Sequence, residues 1–202
     1  MRRIAASLVI LVYPLWSHIV IASGQPGWSL PGLAVLIVVA LTIRDGALPR
    51  SPAAWVVIAA FAAAGFLDLY LGTPFALFAP PILIPAFIAW VFGRTLLPGR
   101  RPMVQRFAED VMNRDDPERL GYMRGLTWFW TLLLAGLAVQ ALLLALFASP
   151  VTWSLFANGI NYGIVVLAFI GEFLVRCARY GIRDQPGEFW IRLLQTDFRR
   201  LG

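Results

Sequence analysis

Residues 126–148 read LTWFWTLLLAGLAVQALLLALFA, and this stretch decides the class of fold. It holds no charged side chain, and its only amide is Gln140. An α-helix needs about 20 mostly apolar residues to cross the roughly 30 Å of hydrocarbon in a bilayer. The stretch therefore predicts a membrane-spanning helix.

Five other stretches of the chain have the same apolar character. Together with the first they give six predicted spans: 4–22, 28–43, 53–70, 74–92, 126–148 and 153–175. Pro80, Pro81 and Pro85 in the fourth span remove backbone donors and predict a kink or an interruption there. The sequence therefore predicts an all-α, polytopic transmembrane helical bundle that forms one integral membrane domain, residues 1–202.

The composition agrees with a membrane protein. The chain has 202 residues, of which 59% are hydrophobic and 14% are charged, and its mean hydropathy is +0.74. A soluble domain carries about 25% charged residues because its surface contacts water, so a soluble globule is excluded. With a single cysteine, Cys177, and a single histidine, His18, a cysteine-rich or multi-histidine metal site is excluded as well, and no cofactor is expected.

The arginines predict the orientation in the membrane. All 17 basic residues are arginine, and the formal net charge is +6. They precede span one, separate spans two and three and spans four and five, and follow span six, whereas the connections 23–27, 71–73 and 149–152 contain none. Short loops rich in arginine stay in the cytoplasm. We therefore predict that both termini are cytoplasmic, which accounts for the charge without nucleic-acid binding.

The first predicted span has a second interpretation. The chain opens with Met-Arg-Arg and an apolar run, which is the shape of a cleaved signal peptide. Pro14, His18 and the lack of an A-x-A site before Gly24 favour a span that is not cleaved.

Two segments outside the predicted spans are amphipathic: the cytoplasmic connection 93–125 and the C-terminal tail 176–202. Their apolar positions at helical spacing are Val104, Phe107, Ala108 and Val111 in the connection and Phe189, Trp190, Leu193, Leu194 and Phe198 in the tail. Asp116 followed by Pro117 predicts the start of a helix that continues into span five. Each amphipathic helix is predicted to rest on the inner membrane surface, with docking of a soluble partner as the alternative. The candidate docking arginines are Arg94, Arg100, Arg101 and Arg106.

Polar side chains at membrane depth are costly, so each is a candidate functional residue. Span six holds Asn158, Asn161 and Glu172, which fall within about 60° of arc and about 21 Å along an ideal α-helix. They predict a polar stripe that faces the bundle interior. The alternatives are interhelical hydrogen bonds for the asparagines and, for Glu172, either an i,i+4 ion pair with Arg176 or a carboxylate that couples to proton movement.

Two further polar residues, His18 and Asp68, lie toward the outer ends of spans one and three. If those spans are neighbours, the two side chains predict an imidazole–carboxylate pair suited to proton transfer. The alternative is that Asp68 caps the short outer turn. The sequence has no nucleophile elbow, P-loop, zinc-protease motif or dinucleotide fingerprint, so it predicts no catalytic residue and argues against an enzyme.

Several short motifs resemble those of one protein family. They are Phe92-Gly93-Arg94-Thr95-Leu96, Pro98-Gly99-Arg100, Arg106-Phe107-Ala108, Trp153-Ser154-Leu155-Phe156-Ala157-Asn158, and Glu172-Phe173-Leu174 before Arg176. Over residues 65–180 the chain is similar to a bacterial inner-membrane family without an assigned activity, whose members are typically encoded with aryl polyene and xanthomonadin pigment biosynthesis enzymes. The chain departs from the family pattern at Arg101, where an acid is common, and in its longer tail.

The resemblance implies a pathway and not a reaction. It implies an inner-membrane location, with acyl carrier proteins or pigment enzymes as partners beside the membrane lipids. The first hypothesis is an accessory component that docks or retains the pigment pathway at the membrane. The alternative is a small transporter or flippase subunit for the polyene lipid or its precursor, motivated by the polar stripe and the proline-broken span. A membrane-embedded transferase using Asp68 or His18 ranks last, because no catalytic set surrounds either residue.

Overall fold

The structure is a computed structural model and describes residues 9, 12–72, 74–112 and 119–180. In these ranges every regular element is a helix, and no strand occurs. The α-helices are α1 (Tyr13–Ala22), α2 (Ser29–Asp45), α3 (Pro52–Leu71), α4 (Phe75–Arg94), α5 (Met103–Met112), α6 (Leu120–Phe147), α7 (Pro150–Leu155) and α8 (Asn161–Tyr180). A 3-10 turn, Pro26–Trp28, precedes α2, and a π-helical turn, Phe156–Ile160, joins α7 to α8.

Five helical segments among the described residues are long and apolar enough to span a membrane. They are Pro26–Asp45, Pro52–Leu71, Phe75–Arg94, Leu120–Phe147 and Pro150–Tyr180. These segments match predicted spans two to six and confirm an all-helical protein of the membrane class. Predicted span one, 4–22, is described mainly over α1, so the count of six stays a prediction. The predicted helix start at 116–118 and the apolar face of the tail, 189–198, lie outside the described residues.

The long helices leave many large apolar side chains exposed on the surface of the chain. Phe147 is 82% exposed, Phe66 is 69% exposed and Leu132 is 63% exposed. In water each square ångström of exposed apolar surface costs about 25 cal/mol, whereas a hydrocarbon solvent imposes no such cost. This surface is therefore suited to contact with lipid chains.

Helix α4 runs without interruption through its three prolines. Pro80 and Pro81 cannot donate to the carbonyls four residues earlier, those of Ala76 and Leu77. A membrane helix tolerates this loss where neighbouring groups donate hydrogen bonds to the freed carbonyl oxygens or the local helix geometry adjusts. The fourth span is therefore not interrupted, because proline removes single hydrogen bonds without ending the apolar segment, and the alternative of a kink stays a prediction.

Two glycines in a left-handed backbone conformation end α2 and α3 and permit tight connections. Gly46 has φ of 73° and donates to the carbonyl of Thr42, and Gly72 has φ of 65° and donates to the carbonyl of Asp68. A side chain at positive φ is strained, so glycine is favoured there. Pro52 then occupies the first turn of α3, where a missing N–H costs nothing.

The described chain forms two compact units, and each boundary between them falls inside a helix. Unit 1 consists of Met1–Leu83 with Ala138–Val165, and unit 2 consists of Ile84–Leu137 with Val166–Gly202. The core of unit 1 contains Ile21, Leu30, Leu77, Trp153 and Ala157. Phe78 packs on Trp153 with ring centroids 4.6 Å apart. Gly65 lies against the ring of Pro31, where any Cβ would overlap it, so α2 and α3 approach closely.

Unit 2 is organised around the buried side chains of α6. Trp130 packs on Phe169 with ring centroids 4.4 Å apart, and Met123 and Leu137 are also buried. Thr127 is fully buried, and its hydroxyl donates to the carbonyl of Met123 at 2.8 Å. The short helix α5 lies in the connection 93–125, where the spacing of the apolar residues predicted a helix.

Candidate functional site

A hydrogen-bonded polar cluster lies in the interior of unit 1. His18 Nδ1 on α1 lies 3.1 Å from Ser154 Oγ on α7. The amide of Asn158, in the π-helical turn, donates to Ser154 Oγ at 2.9 Å and to Ser17 Oγ at 3.3 Å. Both serines are fully buried. We call these four residues the His18 cluster.

Local sequence positions the α7 side of the cluster. Ser149 caps α7 by accepting a hydrogen bond from the backbone N–H of Thr152 at 3.1 Å, and Pro150 occupies the first turn. The π-helical turn then adds one residue to a turn of the helix, a distortion that is frequent at functional sites. Asn158 lies inside this turn, and its amide reaches back to Ser154 and across to Ser17.

The four residues of the His18 cluster form a chain of hydrogen bonds between α1 and the π-helical turn. In the tautomer with an unprotonated Nδ1, the hydroxyl of Ser154 donates to His18 while it accepts from Asn158. His18 is the only titratable member. A nucleophile needs access to its substrate, and Ser154 is 0% exposed, so the arrangement suits proton relay or helix cohesion better than covalent catalysis.

Four buried polar atoms in unit 1 have no hydrogen-bond partner within the described chain. They are Ser29 Oγ, Gln140 Oε1, Trp153 Nε1 and Asn161 Oδ1. A buried donor or acceptor without a partner costs about 1–3 kcal/mol, so such groups are normally satisfied by protein or ordered water. The interior of unit 1 therefore has unused hydrogen-bonding capacity beside the His18 cluster.

The three residues of the predicted polar stripe have different contacts among the described residues. Asn158 belongs to the His18 cluster, the buried Oδ1 of Asn161 has no partner, and Glu172 bonds to Tyr122 in unit 2. The prediction assumed about 100° per residue throughout span six. The π-helical turn, which contains Asn158, has a different rotation per residue, so the angle between Asn158 and the other two residues differs from the predicted one.

Asp68 has a structural role in the turn between α3 and α4. Its Oδ1 accepts from the N–H of Ala76 at 2.8 Å, and its Oδ2 accepts from the N–H of Leu77 at 3.0 Å. The side chain is 3% exposed. It thus satisfies two of the free donors at the N-terminus of α4 and opposes the positive end of the helix dipole. This contact confirms the capping alternative.

The structure does not pair His18 with Asp68. Among the described residues, His18 bonds to Ser154, and both carboxylate oxygens of Asp68 bond to backbone amides. The predicted imidazole–carboxylate pair depended on spans one and three presenting these side chains to each other. The free N–H groups of α4 attract the carboxylate instead, because they lie only one short turn away.

Glu172 takes part in a second polar group, in unit 2. Tyr122 donates its hydroxyl to Glu172 Oε1 at 3.1 Å, and Arg176 Nε lies 3.2 Å from the same oxygen. The predicted i,i+4 ion pair between Glu172 and Arg176 is therefore confirmed. Arg176 Nε and Glu172 Oε1 approach to 3.2 Å without the alignment of a hydrogen bond, so the contact is an ion pair.

The candidate docking arginines lie at the end of α4 and along the start of the connection. The guanidinium of Arg94 lies 4.9 Å from the ring centroid of Trp90, and Arg100 donates to the carbonyl of Arg94 at 3.4 Å. Arg101 pairs with Glu109 at 2.9 Å and is 71% exposed at its side chain. Arg106 lies on α5 and is half-buried.

Two threonines fix the start of α5 to the ends of α4 and α6. The hydroxyl of Thr95 accepts from the N–H of Met103 at 3.0 Å, and that of Thr127 accepts from the N–H of Val104 at 3.3 Å. Arg124 adds a bond of 2.7 Å to the carbonyl of Leu96. The start of α5 is therefore held in a defined position within unit 2.

Sequence reasoning missed Ser17, Ser154 and Tyr122 as polar partners. Ser17 adjoins His18, and Ser154 precedes Asn158 by one turn, so local spacing contained a signal for both. Serine in a membrane helix is common, because its hydroxyl bonds to its own backbone. The partners of Ser154 on α1 depend on tertiary structure alone.

The described fold and contacts define an all-helical protein with five helices able to cross a membrane. Within the described ranges, no group of three or more histidine, cysteine, aspartate or glutamate side chains could hold a metal ion. Comparisons with protein-family models, with curated proteins and with solved structures give no match.

Proposed function

We propose that the protein is an integral inner-membrane accessory component of aryl polyene or xanthomonadin-type pigment biosynthesis that docks or retains the pathway at the membrane. One observation carries the docking role: a basic connection is held in place between two helices that can span a membrane. The pigment pathway rests on the sequence resemblance.

The basic connection has the properties that a docking surface needs. The contacts of Thr95 and Thr127 fix the start of α5, so binding a partner at the arginines beside it requires little ordering of that part of the backbone. Arg100 and Arg101 are exposed at its start. Acyl carrier proteins are acidic, and opposite charge both accelerates encounter and fixes orientation. The proposed partner is therefore an acidic carrier protein or a pathway enzyme that binds such a carrier protein.

Deletion of the gene tests the pathway assignment. We expect the deletion strain to make less pigment, or pigment of altered composition or location, and pigment is measured by absorbance and mass spectrometry of extracted membranes. Restoring the gene recovers the normal pigment. Unchanged amount, composition and location in the deletion strain would contradict the assignment.

Charge removal in the connection tests the docking role. Arg100→Gln together with Arg101→Gln removes two exposed cations, and we expect binding of the acidic carrier protein to weaken by roughly tenfold because rim charges govern association. The matched control is Arg44→Gln with Arg50→Gln, which removes the same charge from the last turn of α2 and the connection that follows it. Binding is measured by microscale thermophoresis in detergent. Equal affinities for the two double variants would rule out this docking surface.

A transporter or flippase subunit is the second candidate, favoured by the His18 cluster and the π-helical turn. Polar groups and irregular helix turns inside a membrane bundle often line a substrate path. Asn158→Leu removes the side-chain amide of the His18 cluster, and Glu172→Gln removes the carboxylate charge that pairs with Arg176 in unit 2. If pigment still reaches its normal membrane location in both variants, these groups are structural and the transport function is excluded.

A further inference from the structure

Helix α4 presents a strip of exposed side chains that ends in a cation. Phe87 is 63% exposed, Trp90 is 58% exposed, and Arg94 is exposed as well. At about 100° and 1.5 Å per residue, the three positions fall within about 60° of arc and about 10 Å along the helix axis. All three belong to unit 2. We call them the Trp90 strip.

Another side of the same part of α4 packs within unit 2. Ala89 is buried, and a Cβ added at Gly93 would lie 3.3 Å from Cγ2 of Thr131 on α6. These two positions lie roughly 110° around the helix from the middle of the Trp90 strip. The Trp90 strip therefore faces away from this contact with α6 and toward the medium around the chain.

Contacts between its own members order the Trp90 strip. The ring centroids of Phe87 and Trp90 lie 5.9 Å apart, and the two ring planes are inclined by 31°. The guanidinium of Arg94 lies 4.9 Å from the ring centroid of Trp90. The electron density of an indole face attracts a cation, but the ring supplies no oxygen that could accept hydrogen bonds from the guanidinium. The ring therefore positions the guanidinium for an acceptor from outside the strip.

The place of the Trp90 strip in its helix indicates the depth at which it meets a membrane. Arg94 is the last residue of the candidate span Phe75–Arg94, and Phe87 lies about two turns before it. Span ends lie at the depth of lipid headgroups, where tryptophan and arginine are favoured. The strip thus starts at the depth of acyl chains and ends at the depth of headgroups, in the order in which a phospholipid presents its chains and its phosphate.

The charge of Arg94 selects among the possible occupants of the Trp90 strip. A second copy related by a two-fold axis would bring two identical guanidinium groups together, and like charges repel. A soluble partner could reach Arg94 but not Phe87, which lies at the depth of the hydrocarbon. A phospholipid suits both ends, because phosphate oxygens match the planar donors of arginine and acyl chains contact the rings. The ammonium of a zwitterionic headgroup would repel the guanidinium, so an anionic headgroup is favoured.

We propose that the Trp90 strip binds an anionic phospholipid, with Arg94 as the ligand of the phosphate and the rings of Trp90 and Phe87 as the contact surface for the upper part of an acyl chain. The proposal does not rest on the pigment pathway. It assigns Arg94 to the membrane, whereas Arg100 and Arg101 carry the proposed docking role. A loss of lipid binding and a loss of carrier-protein binding are therefore distinguishable.

Native mass spectrometry of the purified full chain in detergent tests the proposal, with phosphatidylglycerol as the anionic lipid and phosphatidylethanolamine as the zwitterionic reference. We expect Arg94→Gln to lower phosphatidylglycerol retention about fivefold, since one arginine near an anionic surface contributes about that factor. Arg94→Lys keeps the charge and is expected to keep more than half of the retention. The matched control is Arg50→Gln, which removes another exposed arginine, just before α3, and is expected to retain phosphatidylglycerol like the wild type.

The ring of Trp90 has its own test. Trp90→Leu keeps the cation and an apolar side chain but removes the surface that positions the guanidinium. We expect phosphatidylglycerol retention to fall about two- to threefold, in line with the strength of a cation–π contact at an exposed site. A Trp90→Leu variant that retains phosphatidylglycerol like the wild type would contradict the role of the ring.

Further outcomes decide between an anionic lipid and its alternatives. Equal phosphatidylglycerol retention by Arg94→Gln and Arg50→Gln overturns the proposal, and so does equal retention of the two lipids by the wild type. If inorganic phosphate displaces phosphatidylglycerol at equal concentration, the strip recognises free phosphate and the lipid assignment is overturned. If Arg94→Gln weakens carrier-protein binding and leaves phosphatidylglycerol retention unchanged, Arg94 belongs to the docking surface instead. A dimer in the native spectra that Trp90→Leu abolishes would assign the strip to a second copy.

The exposed position of Arg94 makes the substitution compatible with folding, and circular dichroism checks this. Should Arg94→Gln fail to fold, competition between phosphatidylglycerol and phosphatidylethanolamine on the wild-type chain decides. We expect phosphatidylglycerol to displace phosphatidylethanolamine, and the absence of displacement would overturn the proposal.

Discussion

Asp68 shows how one carboxylate can be stable inside an apolar helical protein. Burial of an isolated carboxylate is costly, because it loses its hydration. Here two backbone amides of α4 replace the water, at 2.8 and 3.0 Å. The same contact satisfies donors at a helix N-terminus that would otherwise have no acceptor. The residue therefore stabilises the turn without any need for a metal or a proton partner.

Replacement of Asp68 is expected to destabilise the fold. Asp68→Ala leaves two amides without an acceptor and should lower the free energy of unfolding by about 1–2 kcal/mol, the range for loss of a helix cap. Asp68→Asn keeps one acceptor oxygen, so its free energy of unfolding should fall between those of the wild type and Asp68→Ala. Unfolding in mixed micelles by added dodecyl sulfate, followed by circular dichroism, measures the effect.

The control for this prediction is Asp45→Ala. Asp45 pairs at the surface with its neighbour Arg44 at 2.7 Å, so its loss should leave stability unchanged. An Asp68→Ala variant as stable as the Asp45→Ala variant would show that the cap contributes nothing.

Ser154 links α7 to α1, because its hydroxyl contacts the ring of His18. Ser154→Ala removes contacts to both His18 and Asn158. Hydrogen bonds between membrane helices average about 0.6 kcal/mol each, so we expect a loss of about 1 kcal/mol in the same unfolding experiment. Ser51→Ala is the matched control, because Ser51 is exposed and its side chain makes no capping bond at the start of α3. A control that loses as much as Ser154→Ala would contradict the role of the cluster.

At the scale of elements, α5 depends on its neighbours. The helix is short, and isolated helices of this length are unstable in water. Thr95 and Thr127 supply acceptors for the N–H groups of Met103 and Val104, and these threonines belong to other parts of unit 2. Tertiary contacts therefore stabilise a segment that its own sequence leaves marginal.

Removal of both threonine hydroxyls should loosen α5. We expect Thr95→Val with Thr127→Val to accelerate hydrogen exchange of the α5 amides by about fivefold, which corresponds to about 1 kcal/mol of lost capping. Thr131→Val is the control, because Thr131 Oγ1 bonds only to the carbonyl of Thr127. Hydrogen exchange followed by mass spectrometry of peptic peptides gives the rates. Equal protection of α5 in all three proteins would contradict the capping role.

For the whole molecule, the arrangement of arginine relative to the spans determines the expected orientation. The five described candidate spans leave arginine out of the short connections at 72–74 and 148–149. Arginine resists transfer across a bilayer, so the opposite connections are expected to stay in the cytoplasm. If residues 4–22 form a sixth span, the two termini lie on the same side.

Reporter fusions test this orientation. A fluorescent protein that matures only in the cytoplasm is expected to fluoresce at both termini and after Gly46, whereas alkaline phosphatase is expected to be active after Gly24, after Gly72 and after Ser149. A fluorescent C-terminus with a dark N-terminus would show five spans in place of six. Activity of alkaline phosphatase after Gly46 would contradict the orientation itself.

The contacts that sequence predicted correctly are local ones. Glu172 and Arg176 are four residues apart on a helix, so their ion pair follows from helix geometry. The cap by Asp68 spans eight or nine residues across one turn. By contrast, His18 and Ser154 are 136 residues apart, and no periodicity in the chain relates them. The predicted stripe assumed a uniform α-helical step through span six, and the π-helical turn Phe156–Ile160 departs from that step.

The sequence by itself determined that the protein is helical and belongs in a membrane, because stretches of about 20 apolar residues have no other stable solvent. The distribution of its 17 arginines also predicts its orientation in the membrane. Only the tertiary structure decided which polar groups from distant parts of the chain meet: His18 with Ser154, and Tyr122 with Glu172. The physical reason is that hydrophobicity is a property of each segment alone, whereas a hydrogen bond between helices depends on which faces they present to each other.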